Sequence, residues 1–74
     1  MTVEQRVFEY LTTEKNISKR DIFSSEPFIA NLRGDKNWMV SIQLTDDNKT
    51  YYYYKNKNEV ILEAYLENGV EFVQ

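Results

Sequence analysis

From Trp38 to Thr45 the chain alternates without interruption: Trp38, Val40, Ile42 and Leu44 are apolar, and Met39, Ser41, Gln43 and Thr45 fall between them. A period of two is the signature of a strand buried on one side. "DDNK" follows, with Asp47 and Asn48 suited to a tight turn, and then the run "TYYYYK" folds back as the partner strand. The pattern therefore predicts a central hairpin over residues 37–45 and 49–56. Closing it with Thr45 opposite Thr50 sets Leu44 against Tyr51, Gln43 against Tyr52, Ile42 against Tyr53 and Ser41 against Tyr54. Successive strand side chains point to opposite faces, so Tyr51 and Tyr53 join Trp38, Ile42 and Leu44 in the core. Tyr52 and Tyr54 then share the other face with Met39, Ser41 and Gln43. Asp46 is expected to pair with Lys49 across the turn.

The N-terminal segment has the other periodicity. Thr2 and Gln5 make a capping-box pair, and Val3, Val7, Tyr10 and Leu11 recur on one helical face, opposite Glu4, Arg6, Glu9, Thr13 and Glu14. Residues 2–14 are predicted as a helix lying on the sheet. Ser18 and Asp21 suggest a further short helical turn through Phe23.

Two segments admit two readings. Residues 26–33 fit a helix capped by Ser25 with Pro27 in its first turn. They also fit an edge strand with Phe28, Ala30 and Leu32 inward, which is preferred, with "GDKN" as the loop into the next strand. Residues 59–68 fit a helix capped by Asn58 and stopped by Asn68 and Gly69, since "ILEAYLE" is rich in helix formers. The same Asn-Gly dipeptide also suits a hairpin between two strands. With the helix preferred, the predicted architecture is an α+β fold. An N-terminal helix packs on a small antiparallel sheet, followed by a C-terminal helix over 59–68 and a short final strand over 70–74 with Val70 and Phe72 inward. All 74 residues read as a single domain.

Composition narrows the chemistry. There is no cysteine and no histidine, which removes disulfides, thiol nucleophiles and the common zinc and haem ligands, so no metal or cofactor is expected. Only Gly34 and Gly69 are glycines, and neither lies in a phosphate-cradling motif. Asp46 and Asp47 together read as a solvated turn. With no cleft expected in so short a chain to tune a carboxylate or lysine, no enzymatic activity is expected. The net charge of −3 disfavours a broad phosphate-binding surface. The opening residues carry early acids and no long apolar run, so a cytoplasmic protein without membrane attachment is expected.

What remains is the second tyrosine pair. Tyrosine is rigid, amphipathic and enriched at interfaces. Met39, Gln43, Tyr52 and Tyr54 are the candidate partner-binding residues, the partner being another protein or a second copy of the chain. Prominent Asn, Lys, Tyr and Ile suit an AT-rich bacterial or phage genome, where the expected role is a small inhibitor or adaptor. The alternative is nucleic-acid binding, either by a winged-helix order of three helices and a hairpin or by bases stacked on the open tyrosines.

Overall fold

The structure, a computed structural model, describes residues 2–31 and 34–73, apart from the side chains of Asp35 and Lys36. It is the expected α+β fold. One helix, α1 (Val3–Thr13), lies on a five-stranded antiparallel sheet of β1 (Ile22–Ile29), β2 (Trp38–Leu44), β3 (Lys49–Asn56), β4 (Glu59–Glu67) and β5 (Val70–Val73). The strands lie side by side in chain order. This order has one helix where the winged-helix reading requires three.

The capping box at the start of α1 forms as the sequence predicts. The Gln5 N–H donates to Thr2 Oγ1 at 3.1 Å, and the Thr2 N–H donates to Gln5 Oε1 at 2.8 Å. Val7 and Leu11 are fully buried against Val40, Ile42 and Tyr53, with Val3 and Tyr10 packed around them. Burying an aliphatic side chain of this size is worth about 1.5–3 kcal/mol, so this seam holds the helix on the sheet. Arg6 adds a polar tether: its Nε donates to the Asn58 carbonyl at 3.0 Å, and its guanidinium meets Glu9 and Glu14 at 3.4 and 3.3 Å.

Where the short helix was expected, a single 3₁₀ turn (Lys19–Asp21) leads directly into β1. The stretch around Pro27 is a strand, but it begins and ends earlier than predicted, and its faces are exchanged. Ser25 and Pro27 stand opposite Ile42 and Val40 on the helix-covered face, while Phe28 stands opposite Met39 on the other. Small residues are needed where the helix comes close: Ser25 Oγ donates to Glu4 Oε2 at 3.0 Å. Ala30 lies beyond the strand end, and Leu32 falls outside the described residues. "GDKN" forms a 3₁₀ turn, Gly34–Asn37.

The central hairpin forms, with its register displaced by two residues from the prediction. Ile42 pairs with Tyr51, Val40 with Tyr53, Gln43 with Thr50, Ser41 with Tyr52 and Met39 with Tyr54. The turn is longer than a minimal one because Asp47 organises it: Oδ1 accepts the Lys49 N–H at 2.9 Å and Oδ2 accepts the Tyr51 hydroxyl at 2.5 Å. Thr45 does not pair with Thr50; its N–H donates to the Asp21 carbonyl at 2.9 Å. A displacement by two leaves every side chain on its predicted face. Lys49 places its ammonium 5.4 Å from the Tyr65 ring centroid, in place of the expected approach to Asp46.

The predicted C-terminal helix is absent. Residues 59–67 form β4, and Asn68 (φ 53°) with Gly69 (φ 81°) makes the positive-φ turn into β5. The helix formers and the Asn-Gly stop are overridden, and a bulge breaks the strand period of the segment. Tyr52 pairs with Ala64 and Tyr53 with Leu62, leaving Glu63 as an extra residue. The helix-facing positions of β4 are thus Val60, Leu62 and Tyr65, and the step of three at the bulge imitates a helical spacing.

Trp38 and β5 also depart from expectation. Trp38 lies on the helix-covered face yet is 57% exposed, beside Thr2, Val3, Glu4 and Pro27 at the start of α1. Val70 and Phe72 point to the same face but are exposed, because β5 lies outboard of the strands α1 covers.

Candidate binding face

Among the described residues, no second α-helix covers the face of the sheet away from α1. Its rows follow from the pairing: Phe28, Met39, Tyr54 and Ile61 form one, Glu26, Ser41, Tyr52, Ala64 and Val73 the next, and Ser24, Gln43, Thr50, Leu66 and Glu71 the third. The rows differ in character. The third is mostly polar, and Gln43 Nε2 donates to Thr50 Oγ1 at 3.2 Å. The first two, with Glu71 of the third, surround an open groove of about 310 Å³ lined by residues of all five strands and by Ala30 just beyond β1. Residues from both sheet edges reach one cavity, so the sheet is concave on this side.

Met39 and Ala64 are the floor of that groove, only 4% and 5% exposed. Phe28 and Tyr52 form one wall, their rings in an edge-to-face contact with centroids 5.9 Å apart at 83°. Such a geometry sets the positive edge of one ring against the negative face of the other. Ala30, Glu63, Glu71 and Val73 complete the lining. The bulge in β4 is what places Glu63 beside Ala64, out of the alternation that would otherwise separate them.

The candidate residues therefore have unequal places. Tyr52 lines the groove and Met39 floors it, too buried to be a free contact. Tyr54 shares the Met39 row and Gln43 lies in the polar row, and neither lines the groove. Phe28, Glu63, Ala64, Glu71 and Val73 were not among the sequence candidates. Phe28 could have been found by giving β1 the opposite phase; the others become neighbours of Tyr52 only through the order of the five strands.

The charged residues that the strands place on this face are carboxylates. Glu26 and Glu71 lie in its rows, Glu59 pairs with Asn56 on the same side, and Glu63 lines the groove. Lys49 and Lys55 of β3 occupy the helix-covered face, opposite Glu67 and Val60. Among the described residues, no lysine or arginine holds an open-face position in any strand.

The perturbed titrating groups belong to the opposite, structural face. Hydrogen bonds from the Tyr51 hydroxyl and the Lys49 N–H hold the Asp47 carboxyl below the usual range. Burial, and then the bond to Asp47, pushes the Tyr51 phenol up. Burial and nearby Tyr10 push Tyr53 up to about 12. Both phenols sit in the aromatic row Tyr53, Tyr51, Tyr65, Phe72, whose centroids are 6.4, 6.2 and 5.0 Å apart in succession. Among the described residues, no group of three acidic side chains is placed to hold a metal ion, and no helix is long and apolar enough to cross a membrane.

No family model matches this chain, and neither a curated protein nor a solved structure shows significant similarity to it.

Proposed function

We propose that this chain is a non-enzymatic module that binds another protein through the concave sheet face bearing Tyr52 and Tyr54. The carrying observation is the groove itself, with a tightly packed apolar floor of Met39 and Ala64 beneath an aromatic wall of Phe28 and Tyr52. A firm floor holds the ring of Tyr52 in place before a partner arrives, which lowers the entropy lost on association. Bases stacked on the same rings are disfavoured, because strand-binding platforms set a basic track beside their aromatics and the strands here offer only carboxylates on this side. A role as a cytoplasmic inhibitor or adaptor accords with the small size and acidic charge.

Replacing both Tyr52 and Tyr54 with serine tests the reading. The double variant should stay folded, at about 1 kcal/mol per site from lost strand propensity and cross-strand contact. It should lose the partners that the wild type captures from native cytosol. Tyr53→Ser, on the core side, should cost several kcal/mol, about the scale of truncating a buried aromatic. Thermal melts with a quantitative pull-down decide: a folded double variant that keeps every partner removes the tyrosines from the binding surface.

A further inference from the structure

We propose that the chain forms a symmetric dimer in which β5 of one copy pairs antiparallel with β5 of a second copy, joining the two sheets edge to edge. The inference concerns the rim of the sheet and does not depend on the Tyr52 face.

The two rims differ in what they offer an incoming strand. β1 is blunted. The Ala30 N–H donates to the Asn37 carbonyl at 2.9 Å, and antiparallel bonding alternates, so Phe28 bonds toward β2 and Pro27 stands at an outward position with no N–H to give. A register shift between Ile22 and Ser24 interrupts the same rim nearer its start. β5 has neither device. It holds no proline, no lysine and no shift, and among the described residues it pairs on one side only, with β4. Its side chains Val70, Phe72 and Val73 are exposed.

The turn before β5 fixes which of its backbone groups are unpaired. Asn68 and Gly69 make a two-residue positive-φ turn, so Glu67 and Val70 exchange hydrogen bonds across the hairpin, and by alternation Tyr65 and Phe72 do the same. The N–H and C=O of Glu71 and Val73 therefore point away from the sheet. Placing Phe72 of one copy opposite Phe72 of the other sets each Glu71 against the other copy's Val73, and these two pairs exchange four hydrogen bonds. Directly opposed residues share a face, so both helices stay on one side of the joined sheet. Phe72 stacks on Tyr65 at 5.0 Å and ends the aromatic row at the rim, and this register continues that row into the same row of the second copy. A register moved by two residues would oppose Glu71 to Glu71, which like charge disfavours. An unrelated extended peptide could satisfy the same backbone groups, but a second copy also supplies, by symmetry, the aromatic ring that faces Phe72.

Four residues a side make a small interface, so the dimer should be weak and dependent on concentration. In sedimentation equilibrium from about 10 μM to about 1 mM, the average mass of the whole chain should rise from one chain toward two. Val73→Pro removes an outward N–H without removing a bond to β4. It should keep the melting curve of the dilute chain and weaken association about tenfold or more. Over the same range, hydrogen exchange in the wild type should slow about threefold or more at the Glu71 and Val73 amides, and much less at Val70 and Phe72, which already bond to β4. A chain that stays monomeric throughout would overturn the dimer and leave β5 open to a strand of another protein. Growth beyond two chains, association unchanged in Val73→Pro, or protection confined to other amides would overturn it as well. Should Val73→Pro fail to fold, the exchange pattern of the wild type decides alone.

Discussion

Asp47 shows how a single turn residue fixes a hairpin. Its two oxygens accept from the Lys49 N–H and the Tyr51 hydroxyl, so one carboxylate joins the turn backbone to the aromatic row. Asp47→Ala should lower stability at neutral pH by about 1 kcal/mol, the usual scale for a partly exposed charged hydrogen bond. The sign of the pH effect follows from the lowered folded-state pKa: the contribution is present above the unfolded value near 3.8 and is lost as pH falls through the folded one. Wild type and variant should therefore converge on the acid side, which urea midpoints across that range would show. Tyr53 behaves in the opposite sense. Its phenol ionises near 10 in the unfolded chain and near 12 in the folded one, so its contribution is complete below 10 and declines as pH rises through that window. Between about pH 8 and pH 11 the wild type should lose more stability than Tyr53→Phe, whatever the starting stability of the variant. A loss of equal size in both proteins would assign the alkaline sensitivity to other groups.

At the scale of elements, α1 and the central hairpin were legible because their patterns are strictly periodic and their caps and turn residues agree. The segment 59–67 was not, because two strong helix cues coincide with a strand that contains a bulge. Propensity favoured a helix, and pairing with β3 along the strand and with β5 over residues 64–67 outweighed it, since a strand with neighbours satisfies its backbone groups in the sheet. The turns on either side of β4 test how the sheet is closed. Lys57 sits at φ 59° and Gly69 at φ 81°, both in the left-handed region. Gly69→Ala should cost about 1 kcal/mol through backbone strain alone, since a Cβ there meets open space. Lys57→Gly should have the opposite sign and stabilise by about 0.5 kcal/mol, strain relief exceeding the added chain entropy. Chemical denaturation of the two variants would measure both, and a destabilised Lys57→Gly would show that the lysine side chain contributes more than its backbone costs.

For the whole molecule, the sequence places Tyr52 and Tyr54 on the correct face even though the hairpin register is displaced, because the displacement is even. It could not bring Phe28 of β1 and Val73 of β5 to one groove, since that neighbourhood depends on the curvature of a complete five-stranded sheet. The order of those strands has a kinetic consequence. Each strand pairs with its neighbour in sequence, so every sheet contact closes over a hairpin, and α1 reaches the sheet across much wider separations, as Arg6 does with Asn58. Closing small loops first is the less costly route, and mixed folds dominated by local pairings refold within about milliseconds to tens of milliseconds. The rate-limiting barrier should then be crossed with β2, β3 and β4 associated and α1 still loose. Leu11→Ala should chiefly accelerate unfolding, while Ile42→Val should slow refolding in proportion to the stability it removes. Stopped-flow chevrons of the two variants would distinguish this order from its reverse, in which the helix docks first and the sheet assembles upon it.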